Sequence, residues 1–494
     1  MQVAIVGAGI AGLGAALTLV KAGFNRVTIY EAQDYIGGRI KSLKHDDNYL
    51  ELGAQWIHGQ EDNVLFEMAS EQGLIASTEA SEGVGYFCTQ NGHKIDPSLV
   101  NQVIMFLDTI KMSLSNGDYK LDYLRNNVDE EKNLNNVSVG EIFKTRFKKW
   151  MESKKFKSPQ DGELVQGIFN WFMKFEKIDN SCTSLDQLSI ISYSLYRTCE
   201  GVPLNNFKSS YSSFIESLLE SIPEVIIKIN CPVKQVKYHP TLENKASLTL
   251  GDGSTVYANH VIITSSIGFL KHNMDSFFEP KLPLQKRLII QTMGFGTVNK
   301  IYLVFDESFW QPCDLGFQMV WLEEEKANYS DQYPPWVYDI SGIDTVAGQP
   351  NVLVGWIGGK GAELIEKESD ETLLRVFHSL LTRFLPSIVH REIPKPIKII
   401  RTSWYSNKYV RGAYSNRTVA FAKLNVSIDE LTKPLTVSYQ LENEKTKCRV
   451  DWPLILFAGE ATDDKFFSTA HGALSSGIRE ASRLIQFWQK YQMI

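Results

Sequence analysis

The run Gln2-Val-Ala-Ile-Val6, followed at once by Gly7-Ala-Gly9-Ile-Ala-Gly12, leaves few ways for this chain to begin folding. A short, β-branched apolar run of this kind makes a parallel strand buried on both faces. The Ala- and Leu-rich stretch from Leu13 to Ala22 then predicts a helix, with Gly23 at the left-handed position that closes it. Arg26-Val-Thr-Ile-Tyr30 predicts a second strand, which ends on Glu31. In such a unit Gly7 permits the tight turn, Gly9 lets the backbone approach a pyrophosphate, and Gly12 lets helix and strand pack closely. Glu31 stands 19 residues past Gly12, where a carboxylate accepts from a ribose hydroxyl. Strand, turn, helix, strand and acid in register predict a dinucleotide site.

Three further segments move the expected dinucleotide from NAD to FAD. Tyr35-Ile-Gly37-Gly38-Arg39 supplies a second glycine turn, whose N–H groups and guanidinium reach the pyrophosphate from the other side. Asn230-Cys-Pro-Val233-Lys-Gln-Val236 predicts a strand in mid-chain, followed by a Gly251-Asp252-Gly253 hairpin turn and a buried strand, His260-Val-Ile-Ile263. Mid-chain thus returns to the nucleotide lobe. Leu454-Ile-Leu-Phe-Ala-Gly459-Glu460 predicts a last buried strand, after which Thr469-Ala470-His471-Gly472-Ala473 opens an amphipathic helix whose N-terminus faces the flavin or its ribityl chain.

Size and charge bound the rest. A chain of 494 residues exceeds what one hydrophobic core supports, so two lobes are expected. The 43% hydrophobic and 22% charged fractions are those of a soluble globular protein. A net charge of −6 with scattered Lys and Arg excludes a nucleic-acid footprint and favours a cationic partner. The six cysteines show no CxxC pair, so neither a metal site nor a disulfide framework is expected. A first strand at Gln2, no membrane-length apolar run, and an ending unlike Ser-Lys-Leu make a cytoplasmic protein without membrane attachment the expectation.

With these pieces together, the chain resembles the flavin-containing amine oxidases, in particular their polyamine and spermine oxidase branch. The resemblance covers nearly the whole chain. It is carried by Gly7 to Gly12, Gly37-Gly38-Arg39, Glu51-Leu-Gly53-Ala54-Gln55-Trp56-Ile-His58-Gly59, Phe295-Gly-Thr-Val-Asn-Lys300-Ile301, and Phe457-Ala-Gly459-Glu460 through Ser468-Thr469-Ala470-His471-Gly472-Ala473. It implies an α/β fold: a doubly wound, Rossmann-like FAD lobe (1–75, 224–275 and 440–494) interleaved with an α+β substrate lobe of mixed sheet and helices (76–223 and 276–439). The stretch 76–223 reads as mostly helical. The expected FAD contacts are Gly7, Gly9, Gly12, Glu31, Gly38, Arg39, Gly53, Ala54, Gln55, Trp56, Val233, Trp404, Gly459, Glu460, Thr469 and Ala470.

Amine oxidation moves a hydride from the carbon beside an uncharged nitrogen, although free alkylamines titrate near pH ~10. The resemblance gives Lys300 a water-mediated contact to the flavin N5 and puts His58 at the entrance to the amine site. Trp404 and Thr469 align with positions lining the flavin face, and Gln55 stands where animal relatives often have His or Thr. Glu200 is the candidate carboxylate for a distal ammonium. Monoamine oxidases bond the flavin through a cysteine where this chain has Ala413, so noncovalent FAD is expected. The expected reaction is oxidation of spermine, spermidine or their N-acetyl forms by O2, by a monomer or homodimer. The alternatives are another amine, such as an amino acid held by Arg411, and a flavin-binding regulatory protein without turnover. Which polyamine is preferred, and which carbon is oxidised, stays open.

Overall fold

In the computed structural model, which describes residues 1–118, 134–156, 158–238, 246–443 and 446–491, Val3–Val6 lies inside a six-stranded sheet. The strand order is Leu435–Asn443, Thr446–Phe457, His260–Ile263, Val3–Val6, Val27–Tyr30, Ile226–Lys228. Every pairing is parallel except the one between the first two strands, which is antiparallel. Successive residues of a strand point to opposite faces. Val3 and Ile5 accordingly enter one core while Ala4 and Val6 enter another, which is why the run carries no polar residue.

The first of these cores is closed by the helices Ile10–Lys21 and Ala470–Tyr491. The Ile10–Lys21 helix starts three residues before the expected Leu13, because Gly9 is already its N-cap. Gly12 falls within its first turn, where a Cβ would sit 2.1 Å from Gly7 O. No other residue fits there without moving helix from strand. On the opposite face lies a four-stranded sheet, Thr255–Ala258, Ala246–Leu250, Val233–Tyr238 and Phe278–Glu279, which contains the expected hairpin.

The second lobe is built on another six-stranded sheet, ordered Lys398–Arg401, Asn299–Val304, Gln349–Ile357, Ile340–Val346, Gly316–Val320, Tyr86–Thr89. Its pairings are antiparallel but for Tyr86–Thr89, so the sheet is mixed. Helix Asp370–Phe384 covers one core, capped where Ser369 Oγ accepts from Thr372 N at 3.1 Å and buried through Leu373, Val376, Phe377, Leu380, Leu381 and Phe384. That spacing is the stripe of an amphipathic helix. Helices Pro97–Asn116, Val139–Ser153 and Pro159–Asp179 pack together in a further core with Phe87 and Val320.

The fold is therefore α/β, a doubly wound lobe interleaved with an α+β lobe, as expected. The interleaving is finer than the sequence boundaries suggest. Strand Leu204–Phe207 and helix Tyr211–Glu220 fall in the segment assigned to the second lobe, yet Phe207, Phe214, Ile215 and Leu218 are buried with Leu13 and Leu17. Leu435–Asn443 likewise joins the first-lobe sheet before residue 440. Strands Ile75–Glu79, Tyr86–Thr89 and Leu204–Phe207 also interrupt the stretch read as mostly helical.

Candidate active site

The two lobes share a cavity of about 530 Å3 that begins at the first glycine turn. Gly7 and Gly9 line it, and Gly12 stands behind them as the packing residue. The second glycine turn lies directly against the first: Gly37 forms a bridge with Gly9, and a Cβ on Gly38, whose φ is +62°, would come within 3.2 Å of Gly9 Cα. Bare backbone is thus presented from two sides, beside the N-terminus of the Ile10–Lys21 helix. Such a cradle suits a pyrophosphate. Glu31 ends the second strand on the cavity wall, its carboxylate accepting from Ala8 N at 2.6 Å and Gln33 N at 2.8 Å, while burial raises its pKa.

Arg39 ties the cradle to the chain's last segments. Its Nη1 donates to Glu460 Oε1 at 2.9 Å and to Ala413 O at 2.8 Å. Buried Glu460 also accepts from Ser415 Oγ at 2.6 Å and Ser468 N at 2.9 Å. Val233, Gly459 and Ala470 line the same wall, as do Gly53, Ala54 and Trp56. Thr469 lines it too, with its Oγ1 accepting from Gly472 N in the first turn of the last helix. Glycine turns, helix terminus, acid and arginine form a donor set that fits FAD. Ala413 lines the cavity, and among the described residues lining it there is no cysteine.

Beyond the cradle the cavity reaches Lys300, the second residue of strand Asn299–Val304, which is buried along its whole length. Its Nζ donates to Glu51 O at 2.7 Å, Gly53 O at 2.9 Å and Gln55 Oε1 at 2.6 Å. Sheet register sets Trp356 opposite Lys300, and the amine lies 4.7 Å from that ring's centre, with Trp56 stacked beyond it. Burial pushes the Lys300 pKa down to about 7 against the opposing pull of the Glu51 and Glu82 carboxylates. The expected water-mediated contact to a flavin therefore competes with Gln55, whose oxygen takes the third N–H. Trp404 stands nearby on the cavity wall, buried, its Nε1 donating to Leu52 O at 3.2 Å.

His58 lines the cavity from the short strand Ile57–His58, pinned by pairing with Leu204–Phe207 and by Asn63 Nδ2 donating to His58 O at 2.9 Å. Burial lowers the imidazole's pKa, and the Asp179 carboxylate opposes that shift. Asp179 ends the helix Pro159–Asp179 and also lines the cavity.

Glu200 is a correction. It is exposed and does not line the cavity; its backbone carbonyl accepts from Gln60 N and Glu61 N, turning the side chain outward. Besides Glu31 and Glu460 at the cradle, the described acids that line the cavity are Glu82, Asp179 and Asp344. Burial, reinforced by Asp179, raises Glu82 to about 8; burial raises Asp344 to about 7 although Gln318 Nε2 donates to it at 2.8 Å. Lys111 lines the cavity beside them. Sequence reading missed these four. A signal existed for two, since Lys111 and Asp179 continue apolar stripes (Val103, Leu107, Lys111, Leu114; Phe169, Phe172, Glu176, Asp179) where a solvated charge has no place. Arg411, the expected partner for an amino-acid carboxylate, does not line the cavity.

Comparison with known proteins gives concordant results. The family model described as flavin-containing amine oxidoreductase matches residues 10–485. The human protein named peroxisomal N(1)-acetyl-spermine/spermidine oxidase is 31% identical over 517 aligned residues, covering 99% of this chain and 95% of that one. A probable polyamine oxidase 5 from Arabidopsis thaliana is 28% identical, with 99% and 98% covered. Among solved structures, a redesigned triple variant of putrescine oxidase superposes with a TM-score of 0.65 at 18% identity, covering 98% of both chains, and so shares the fold.

Proposed function

Because the chain belongs to the flavin-containing amine oxidoreductase family, we propose that it is a polyamine oxidase holding FAD noncovalently in the cradle of Gly7, Gly9, Gly38, Arg39, Glu31 and Glu460. The observation that carries this reading is the continuity of that cradle with a chamber lined by Glu82, Asp179 and Asp344. Several acids facing one cavity favour a ligand with several separated positive charges, and each attraction strengthens where water is excluded.

Bound FAD supplies the acceptor for a hydride and returns it to O2 as hydrogen peroxide. The chain's own residues prepare the amine. Substrates arrive as ammonium ions, and the reacting nitrogen must lose its proton before its neighbouring carbon gives up a hydride. His58, neutral through burial, accepts that proton, and Asp179 stabilises the imidazolium that results. Trp404, Trp356 and Tyr414 wall the chamber with aromatic surface and keep the nitrogen dry, which favours its neutral form. Lys300 braces the Glu51–Gln55 loop against the sheet and so fixes the wall on which the reacting carbon rests. The oxidised substrate is an iminium, which water splits into an amine and an aminoaldehyde.

Purified holoenzyme mixed anaerobically with spermine, spermidine or their N-acetyl forms should lose its yellow flavin absorbance, and air should restore it with one peroxide per aminoaldehyde. A flavin that stays oxidised with every polyamine refutes the reading.

A further inference from the structure

Lys111 places a cation on the cavity wall that also carries Glu82 and Asp179. It sits in the last turns of helix Pro97–Asn116, on the stripe that buries Val103, Leu107 and Leu114. Its Nζ donates to Glu176 Oε1 at 2.6 Å and Asp179 Oδ2 at 3.1 Å. Two of its three N–H groups are thereby used. A third of the side chain remains accessible, and Lys111 lines the cavity. Burial works against its charge, yet the Asp179 and Glu176 carboxylates outweigh burial and hold its pKa well above the ordinary value. Lys111 is a fixed positive charge at any working pH.

That charge changes what the chamber accepts. Glu176 is fully buried and Asp179 faces the cavity, so the ammonium satisfies one acid and shares the other. Glu82 also feels it: Lys111 lowers the pKa that burial, chiefly, and the Asp179, Asp344 and Glu176 carboxylates raise. A free polyamine brings an ammonium at nearly every nitrogen, and one that reaches this wall meets the Lys111 charge beside its paired acids. A polyamine acylated at one end carries one charge fewer and offers a carbonyl oxygen, an acceptor for the remaining N–H.

Resting on the polyamine oxidase reading, we propose that Lys111 is a specificity-determining residue, a resident cation that makes the chamber prefer a polyamine with one acylated end over the fully charged polyamine. Like charges repel strongly where water is scarce, and rejection through such an element is a general route to specificity.

The test is steady-state kcat/KM for N-acetylspermine and spermine on flavin-loaded wild type, Lys111→Met, Lys111→Gln and Lys111→Arg. A ratio of two substrates on one protein cancels any loss of folded enzyme, so a merely structural lysine leaves it unmoved. The wild type should favour the acetylated substrate, and the Met and Gln variants should shift the ratio toward spermine by about tenfold or more. The Arg variant, which keeps the charge, should retain the wild-type order. An unmoved ratio in the neutral variants overturns the proposal, as does a wild type that prefers spermine. Should the Met variant fail to load flavin, Gln, which keeps a donor for Glu176, decides. Turnover of neither substrate by loaded wild type refutes the polyamine oxidase reading itself, and this proposal with it.

Discussion

Lys300→Met should change the stability of the protein in a direction that reverses with pH. Burial brings the Lys300 amine from 10.5 to about 7. A basic group whose folded pKa is depressed binds fewer protons in the folded than in the unfolded chain between those two values. Stability therefore rises with pH across that window. At about 1.4 kcal/mol per pH unit, keeping Lys300 buried costs the wild type about 4 kcal/mol at pH 7 and about 1 kcal/mol at pH 10. Methionine removes this cost at every pH. It also leaves Gly53 O without its donor, which costs about 1–3 kcal/mol, and loses the Trp356 contact, worth about 1 kcal/mol. Glu51 O keeps the Tyr302 hydroxyl at 2.7 Å, and Gln55 is free to turn into the cavity. The balance puts the variant level with wild type or up to about 2 kcal/mol above it at pH 7, and about 1–3 kcal/mol below it at pH 10. Urea unfolding of both proteins in saturating FAD at pH 7, 8, 9 and 10 measures the difference directly, and comparing the two cancels the other titrating groups. Curves that stay parallel across this range would show that the buried amine is not depressed, and would refute the reasoning.

Gly12→Ala should abolish flavin loading while leaving a folded protein, because the new Cβ lies 2.1 Å from Gly7 O and forces the helix away from the cradle; absorbance of the purified variant reads the loss. Glu460→Gln removes the charge facing Arg39 and weakens the contacts to Ser415 and Ser468, so FAD should bind about ten- to a hundredfold more weakly by fluorescence titration. A bis-quaternary ammonium chain, whose own charge is fixed, should bind more tightly as pH rises through about 7 and then about 8, since a cation favours ionised Asp344 and Glu82. In Glu82→Gln the step near 8 should vanish and the one near 7 remain; two surviving steps would assign the titration elsewhere.

The candidate cofactor cradle was legible and the candidate substrate chamber mostly was not, for a physical reason. A pyrophosphate cradle is made of backbone, and backbone conformation is dictated locally: glycines at 7, 9, 12, 37 and 38 leave no side chain to specify. The parallel strands were legible on the same ground, since a run buried on both faces must be apolar throughout. The chamber is made of side chains whose meeting depends on sheet register and helix packing. Nothing near Glu82 or Asp344 in sequence marks them as neighbours, and Lys300 meets Trp356 only because two antiparallel strands align there. Glu200, the expected carboxylate for a distal ammonium, is exposed instead, with its carbonyl accepting from Gln60 N and Glu61 N. Lys111 and Asp179 lie between these cases. Each interrupts an apolar stripe, which marks it as partnered, while the partner's identity emerges only when helices Pro97–Asn116 and Pro159–Asp179 pack side by side. A charge on an apolar stripe thus tells that a polar interior exists before the fold tells what fills it.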